Sequence, residues 1–191
     1  LGGPLMLTPL LTGFFHPGER GLWIDFAIPA LVLSLLGVLL WKALRSRRAR
    51  TVNALEGGII VLLSWIIIIL FSSIPFITIL DLNFTQAVFE SVSGWTTTGL
   101  SVVDVTKAPK TVLIWRSVIQ LAGGAGLAII MISSIAGPTG PGLAFAEGRT
   151  DQLVPYVRKS AKLVMTIYLG YATVGTLAYI FSGMSAFDAI N

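Results

Sequence analysis

Four apolar runs constrain what this chain can become: roughly 22 to 41, 52 to 74, 110 to 136 and 157 to 182. Each comes near the roughly 20 residues that a helix needs to cross the hydrocarbon core of a bilayer. In lipid a segment must satisfy its own backbone hydrogen bonds, and runs of this length do so as helices. With 54% hydrophobic and 12% charged residues among 191, the chain has too little polar surface for a soluble domain. An all-α integral membrane protein is therefore expected. The chain has no cysteine, which excludes a disulfide framework or a thiolate metal site. Leu1 to Phe15 is apolar without a charged leader and reads as the end of a further membrane helix.

Charge sets the orientation. Lys42, Arg45, Arg47, Arg48 and Arg50 form a basic loop with no acid among them, which the positive-inside rule places in the cytoplasm. Threading from that loop puts Arg149, Arg158, Lys159 and Lys162 inside as well, and Arg20, Lys107, Lys110 and Arg116 outside. Six acids, Glu19, Asp25, Asp81, Glu90, Asp104 and Asp188, fall on or near the outer side, where they read as a scattered solvated rim. Basic residues at headgroup depth account for the net charge of +4 through contact with anionic lipid, so nucleic acid is not an expected partner.

The stretch bracketed by Pro75 and Pro109 must start and finish on the outer side, so it cannot cross. Within it, Asn83 and Gln86 have capping-box spacing, and Phe84 to Ser93 reads as a helix of about 15 Å, half the depth of the core. A half-helix entering from outside aims its C-terminal carbonyls at the membrane centre, where a cation is least stable. Gly94-Trp95-Thr96-Thr97-Thr98-Gly99-Leu100-Ser101 follows, a run with no charged side chain whose carbonyls can replace an ion's hydration shell. Such a return segment has to line a cavity; on local spacing alone, an outer loop or amphipathic surface helix with a Thr-rich tail is the alternative. Gly99 is expected at positive φ, where a Cβ would be strained.

Phe89-Glu90-Ser91-Val92-Ser93-Gly94-Trp95-Thr96-Thr97-Thr98-Gly99, followed by Trp115-Arg116-Ser117-Val118-Ile119-Gln120 and Gly123-Gly124-Ala125-Gly126, closely resembles the first pore repeat of the Trk/Ktr/HKT potassium-transporter membrane subunits. The resemblance covers nearly the whole chain and is most like the N-terminal portion of a bacterial Trk-type uptake protein. It implies a helix, re-entrant pore-loop, helix repeat of potassium-channel type, preceded by an N-terminal helical hairpin. On that reading residues 1–50 are the hairpin with its basic loop, 51–136 the first pore repeat with pore helix 84–93 and filter 96–101, and 137–156 a cytoplasmic linker. Residues 157–191 begin a second repeat that stops in its pore helix. The function implied is potassium transport, with K+ as cargo, no cofactor in this chain and no enzymatic activity. Thr96, Thr97, Thr98, Gly99 and Leu100 would bind the ion, with K+ on the backbone carbonyls of Thr97, Thr98 and Gly99. The implied partners are the bilayer, the remaining pore repeats, a second copy in a homodimer and a cytoplasmic nucleotide-binding regulatory subunit, in a bacterial inner membrane. A sodium- and potassium-permeable member of the same superfamily is the alternative; a membrane enzyme or a scaffold fits less well.

An internal repeat points the same way. Leu82 to Phe89 recurs loosely, 102 residues on, as Met184 to Asn191, each copy following a long apolar run on the outer side. Arg116 lies a turn or two inside its helix, where a guanidinium needs a partner or must snorkel to the headgroups; Glu90 is the candidate partner, bracing the filter from behind. Reversing both charges is then expected to restore what either single reversal loses. Gly123, Gly124 and Gly126 lack the fourth small residue and the preceding strand of a dinucleotide fingerprint, and read as a helix-packing face. Gly137 to Gly142 reads as a turn. His16 has no second ligand near it in sequence. Trp23, Trp41, Trp95 and Trp115 sit at expected membrane boundaries, and Trp65 in mid-span as a packing residue.

Overall fold

A computed structural model describes residues 2–45, 54–135 and 153–191. The described residues contain helices and connections and no strand. They divide into two compact units, Leu1–Gln120 and Leu121–Asn191. Most of the basic loop and of the 137–156 linker, including the Gly137 to Gly142 turn, lies outside the described residues.

The first unit opens with three short helical pieces: α1 (Gly2–Leu5), a 3-10 turn (Thr8–Leu11) and α2 (Thr12–Phe15). Gly2–Phe15 is thus a short apolar helical stretch in which α and 3-10 turns alternate. Pro9 stands in the first positions of the 3-10 turn, where its missing N–H costs little and the ladder tightens from α to 3-10 spacing. A second 3-10 stretch, Pro17–Leu22, leads into α3 (Trp23–Arg45), and α4 follows (Ala54–Leu80). Segments 17–43 and 55–80 are long and apolar enough to span a bilayer, as is 161–181 in the second unit. The chain is an all-α membrane protein.

Pro75 does not end α4, contrary to the sequence expectation. The helix continues to Leu80 with Pro75 buried inside it, because a proline removes one ladder bond and neighbouring helices tolerate the gap. The stop comes at Asp81, whose φ of 52° places it in the left-handed region, and Leu82 returns its N–H to the Phe76 carbonyl at 3.4 Å. Two residues later Asn83 caps α5 (Phe84–Trp95) with both bonds of a capping box: Gln86 N–H to Asn83 Oδ1 at 2.9 Å, and Asn83 N–H to Gln86 Oε1 at 3.2 Å. The helix runs two residues beyond the expected Ser93.

The short turn folds α5 back along α4. At its far end Trp95 lies edge-on to Trp65 with ring centroids 6.4 Å apart, and its Nε1–H donates to Ser72 Oγ at 2.9 Å. Trp65 and Ser72 flank the midpoint of α4, so α5 ends beside the middle of a spanning helix. Trp95 and Trp115 are thus core residues, not boundary residues: both are buried, and Trp115 donates to the Ser72 carbonyl at 3.3 Å and packs edge-on against Phe26. An indole that reaches an acceptor can be buried without penalty.

The helix α6 (Lys110–Ile135) carries Trp115 and starts in the first unit. Its N-terminus is capped from 91 residues upstream: the Glu19 carboxylate accepts the Lys110 N–H at 3.0 Å, the Thr111 N–H at 2.8 Å and the Thr111 hydroxyl at 2.6 Å. These are the orphan donors of a helix start. Glu19 is accordingly a tertiary cap and not one of the solvated rim acids. Further along, α6 approaches α5 closely at Gly94, where an added Cβ would stand 2.2 Å from Ile119 Cδ1 and 2.6 Å from Cγ1.

In the second unit α7 (Leu153–Phe181) ends in the same manner as α4. Gly183 has φ +95°, Met184 N–H returns to the Tyr179 carbonyl at 3.1 Å, and Gly183 N–H to that of Ile180 at 3.0 Å. Ser185 then caps α8 (Ala186–Ile190), accepting the Asp188 N–H at 3.2 Å. Left-handed residue, cap and capping partner (81, 83 and 86) each recur 102 positions on (183, 185 and 188), and Ala87 and Ala189 are both buried.

Because Ile119 is fully buried, Gly94→Ala has to displace it and is expected to lower stability by roughly 1–3 kcal/mol. Ile119→Ala in the same protein should recover part of that loss. Thermal unfolding of the detergent-solubilised protein checks both, and a Gly94→Ala melting point equal to wild type would contradict the close approach.

Candidate ion-conduction site

The last turn of α5 does not stop cleanly; it unwinds into a tight loop. Thr96 N–H bonds to the Val92 carbonyl at 2.9 Å, Thr97 N–H to that of Gly94 at 3.1 Å and Thr98 N–H to that of Ser93 at 3.0 Å. These bonds consume the helix's C-terminal carbonyls and turn the loop's own N–H groups toward the helix. Thr97 has φ 56° and Gly99 φ 79°. The positive φ expected at Gly99 is present, and an added Cβ there would meet nothing within 4 Å. That at Thr97 has no signal in the sequence: a β-branched residue in the left-handed region is strained, and strain of this kind persists only where the surroundings hold it.

Thr96 to Leu100 are all exposed in the isolated chain. Among the described residues, no donor reaches the carbonyl oxygens of Thr97, Thr98 or Gly99. The Leu100 carbonyl differs, because it accepts the Ser93 hydroxyl. The Thr96 hydroxyl donates to the Val92 carbonyl at 2.7 Å and lies 2.7 Å from the Thr98 hydroxyl, so in the second contact Thr98 is the donor. Thr96 and Thr98 are thereby tied back to the helix and the Thr97 hydroxyl donates to the Thr96 carbonyl at 2.7 Å, which leaves the next three carbonyls unpaired among the described residues.

Behind this loop stands Glu90, whose side chain is 1% exposed. Arg116 Nε donates to Oε1 at 2.6 Å, bringing together the two residues that the sequence suggests as a pair. The carboxylate holds more than the arginine. Ser101 Oγ donates to Oε1 at 2.9 Å and Oε2 at 3.1 Å, and Val102 N–H to Oε2 at 3.0 Å. Ser101 Oγ in turn accepts the Val103 N–H at 3.0 Å. Ser93 and Ser101 are the contacts that sequence reasoning missed; Ser101 lies 11 residues from Glu90, a spacing that no helical or strand periodicity flags. Nearer the surface, the Thr106 hydroxyl and then Lys107, at 3.2 Å, hold the exposed Asp104 carboxyl below its ordinary range. Asp104 is one of the rim acids and touches neither Glu90 nor the loop.

Every group around Glu90 is a donor, which overturns the expected behaviour of the charge-reversal swap. An arginine at position 90 would face the Ser101 and Val102 donors, so the double reversal should not rescue function although the pair is real. Glu90→Gln turns an amide N–H toward at least one donor and is expected to cost about 3 kcal/mol or more, as for a broken buried pair. Arg116→Met, which leaves the Ser101 and Val102 bonds in place, should cost less. Unfolding midpoints of the two variants check the order, and a larger loss for Arg116→Met would make the arginine the main support.

A family model described as TrkH, cation transport protein, matches residues 25–190. The chain is similar to the Trk system potassium uptake protein TrkH of Escherichia coli, 33% identical over 198 residues, covering 99% of this chain and 40% of the relative. It is likewise similar to the Trk system potassium uptake protein TrkH of Vibrio parahaemolyticus, 30% identical over 195 residues, with coverages of 97% and 40%. A third relative, an uncharacterized cation transporter of Methanocaldococcus jannaschii, is 28% identical over 193 residues, with coverages of 99% and 40%. The chain thus spans about two fifths of the length of these relatives.

Proposed function

The chain belongs to the TrkH family of cation transport proteins, and from that membership we propose that it forms part of a transmembrane potassium pathway in which Thr97, Thr98 and Gly99 present backbone carbonyls to the ion. The observation that carries this reading is the loop itself: three consecutive carbonyls that no donor among the described residues reaches, on exposed residues, at the end of a helix that stops beside the middle of α4. Carbonyl oxygens of this kind substitute for the hydration shell of a cation. Thr96 closes the loop against the helix, and Leu100 contributes with its remaining lone pair. Potassium as the cargo is supported by the names of the Escherichia coli and Vibrio parahaemolyticus relatives.

In this reading residues 51–136 are a first pore repeat with a re-entrant segment, and the 102-residue recurrence makes α7, Gly183, Ser185 and α8 the start of a second. One loop cannot surround an ion, so the other sides of the pathway come from further repeats of the same protein, of which this chain is the N-terminal portion. The family resemblance supports a homodimer and a nucleotide-binding regulatory subunit on the cytoplasmic side, and a bacterial inner membrane as the location. Charge supports an outward-opening loop: the basic residues 42–50 lie inside, and residues 81–110 outside. A cysteine introduced at Ser46 is expected to react with impermeant reagent only from the cytoplasm and one at Lys107 only from outside; labelling of both from one side would overturn this orientation.

Gly99 gives the functional test. The space beyond its Cα is open, so a serine there is opposed by backbone strain of about 1–2 kcal/mol and not by collision. Gly99→Ser in the complete transporter is expected to lower the preference for potassium over sodium, measured by competitive ion uptake, at normal membrane expression. Thr96→Ser keeps the hydroxyl and should change it far less. An unchanged preference in Gly99→Ser, with flux retained, would falsify the assignment.

A further inference from the structure

We infer that Ser93 is a positioning residue for ion selectivity, setting the span of the carbonyl loop by holding both of its ends. The inference rests on Thr97 to Gly99 being the selective segment. Ser93 is 4% exposed and lies within α5. Its backbone carbonyl accepts the Thr98 N–H at 3.0 Å, on the limb that leaves the helix, and its hydroxyl donates to the Leu100 carbonyl, on the limb that returns. Among the described residues no other side chain joins these two limbs in this way. Thr97 and Gly99, the two loop residues at positive φ, lie in the span that Ser93 closes.

A loop held only at its exit could slide along the helix end, and a loop held only at its entry could open. Glu90 and its donors fix residues 101 to 103 relative to α5, but they lie beyond the loop and leave the separation of its limbs undetermined. The Ser93 hydroxyl sets that separation. It also occupies one lone pair of the Leu100 carbonyl, which turns that oxygen toward α5 and distinguishes it from the three carbonyls that precede it. Losing the hydroxyl frees Leu100 to swing outward and widens the range of carbonyl positions, which favours no single ion radius.

The test compares Ser93→Ala and Ser93→Cys with wild type and Gly99→Ser in the complete transporter, reading potassium-to-sodium preference by competitive uptake at matched membrane expression. Ser93→Cys is close in size and retains a weak donor, so it is the variant expected to fold if the buried alanine variant does not. The expected result is a roughly two- to tenfold loss of preference in Ser93→Ala, the range one ordinary hydrogen bond supplies, with Ser93→Cys in between. If expression of Ser93→Ala collapses, a loss of preference in Ser93→Cys alone carries the inference. Unchanged preference in the Ser93 variants, with or without a lower melting temperature, while Gly99→Ser loses it, would show a merely structural serine and overturn the inference with the selective loop intact. Unchanged preference in Gly99→Ser as well would remove the loop assignment and the inference together.

Discussion

The Glu90 carboxylate is the constraint on which the rest of the first unit depends. A buried carboxylate is tolerated only when hydrogen-bond donors surround it, and Glu90 obtains them from two places at once: Arg116 on α6, and Ser101 with Val102 on the segment returning from the loop. Arg116 reaches one carboxylate oxygen and the return segment reaches both. One side chain of α5 thus ties the return segment to α6, and the strained φ of Thr97 lies in the loop that this tie closes. The loop has no packing of its own, since Thr96 to Leu100 are exposed in this chain.

Ser72 supports the same arrangement from the other side. Its hydroxyl accepts the Trp95 indole and its carbonyl the Trp115 indole, so one residue of α4 fixes the end of α5 and the start of α6. Between lipid-facing helices hydrophobic burial offers little preference for one packing over another, and polar bonds and close contacts of small residues select it. Gly94 against Ile119 is the contact of the second kind. The result is a short helix held at both ends: by its own capping box at Asn83, and by Ser72 and Glu90 in the interior.

What could be read from the sequence was what local rules govern. The spanning segments follow from run length, the start of α5 from Asn83 and Gln86, the left-handed turn from Gly99, and the Glu90–Arg116 pair from the cost of a lone charge in a helix. Pro75 misled because a proline is a strong breaker in water and a tolerated interruption in a buried helix. Trp95 and Trp115 misled because position along the chain does not measure depth once α5 folds back along α4 and both indoles reach Ser72.

The sequence by itself determined that this chain lives in a bilayer as helices, where a half-length helix begins and which residues form the loop after it, since hydropathy, capping and glycine's freedom at positive φ act over a few residues. Only the tertiary structure decided that Glu19 caps a helix 91 residues away, that Ser72 receives two tryptophans, that the Ser93 hydroxyl meets the Leu100 carbonyl and that Ser101 meets Glu90. Serine and glutamate are acceptable at a solvated surface, in a turn or in a buried network, and their local spacing is the same in each. Which of these roles they take depends on which donors and acceptors the folded backbone brings within about 3 Å, and that proximity is a property of the assembled helices.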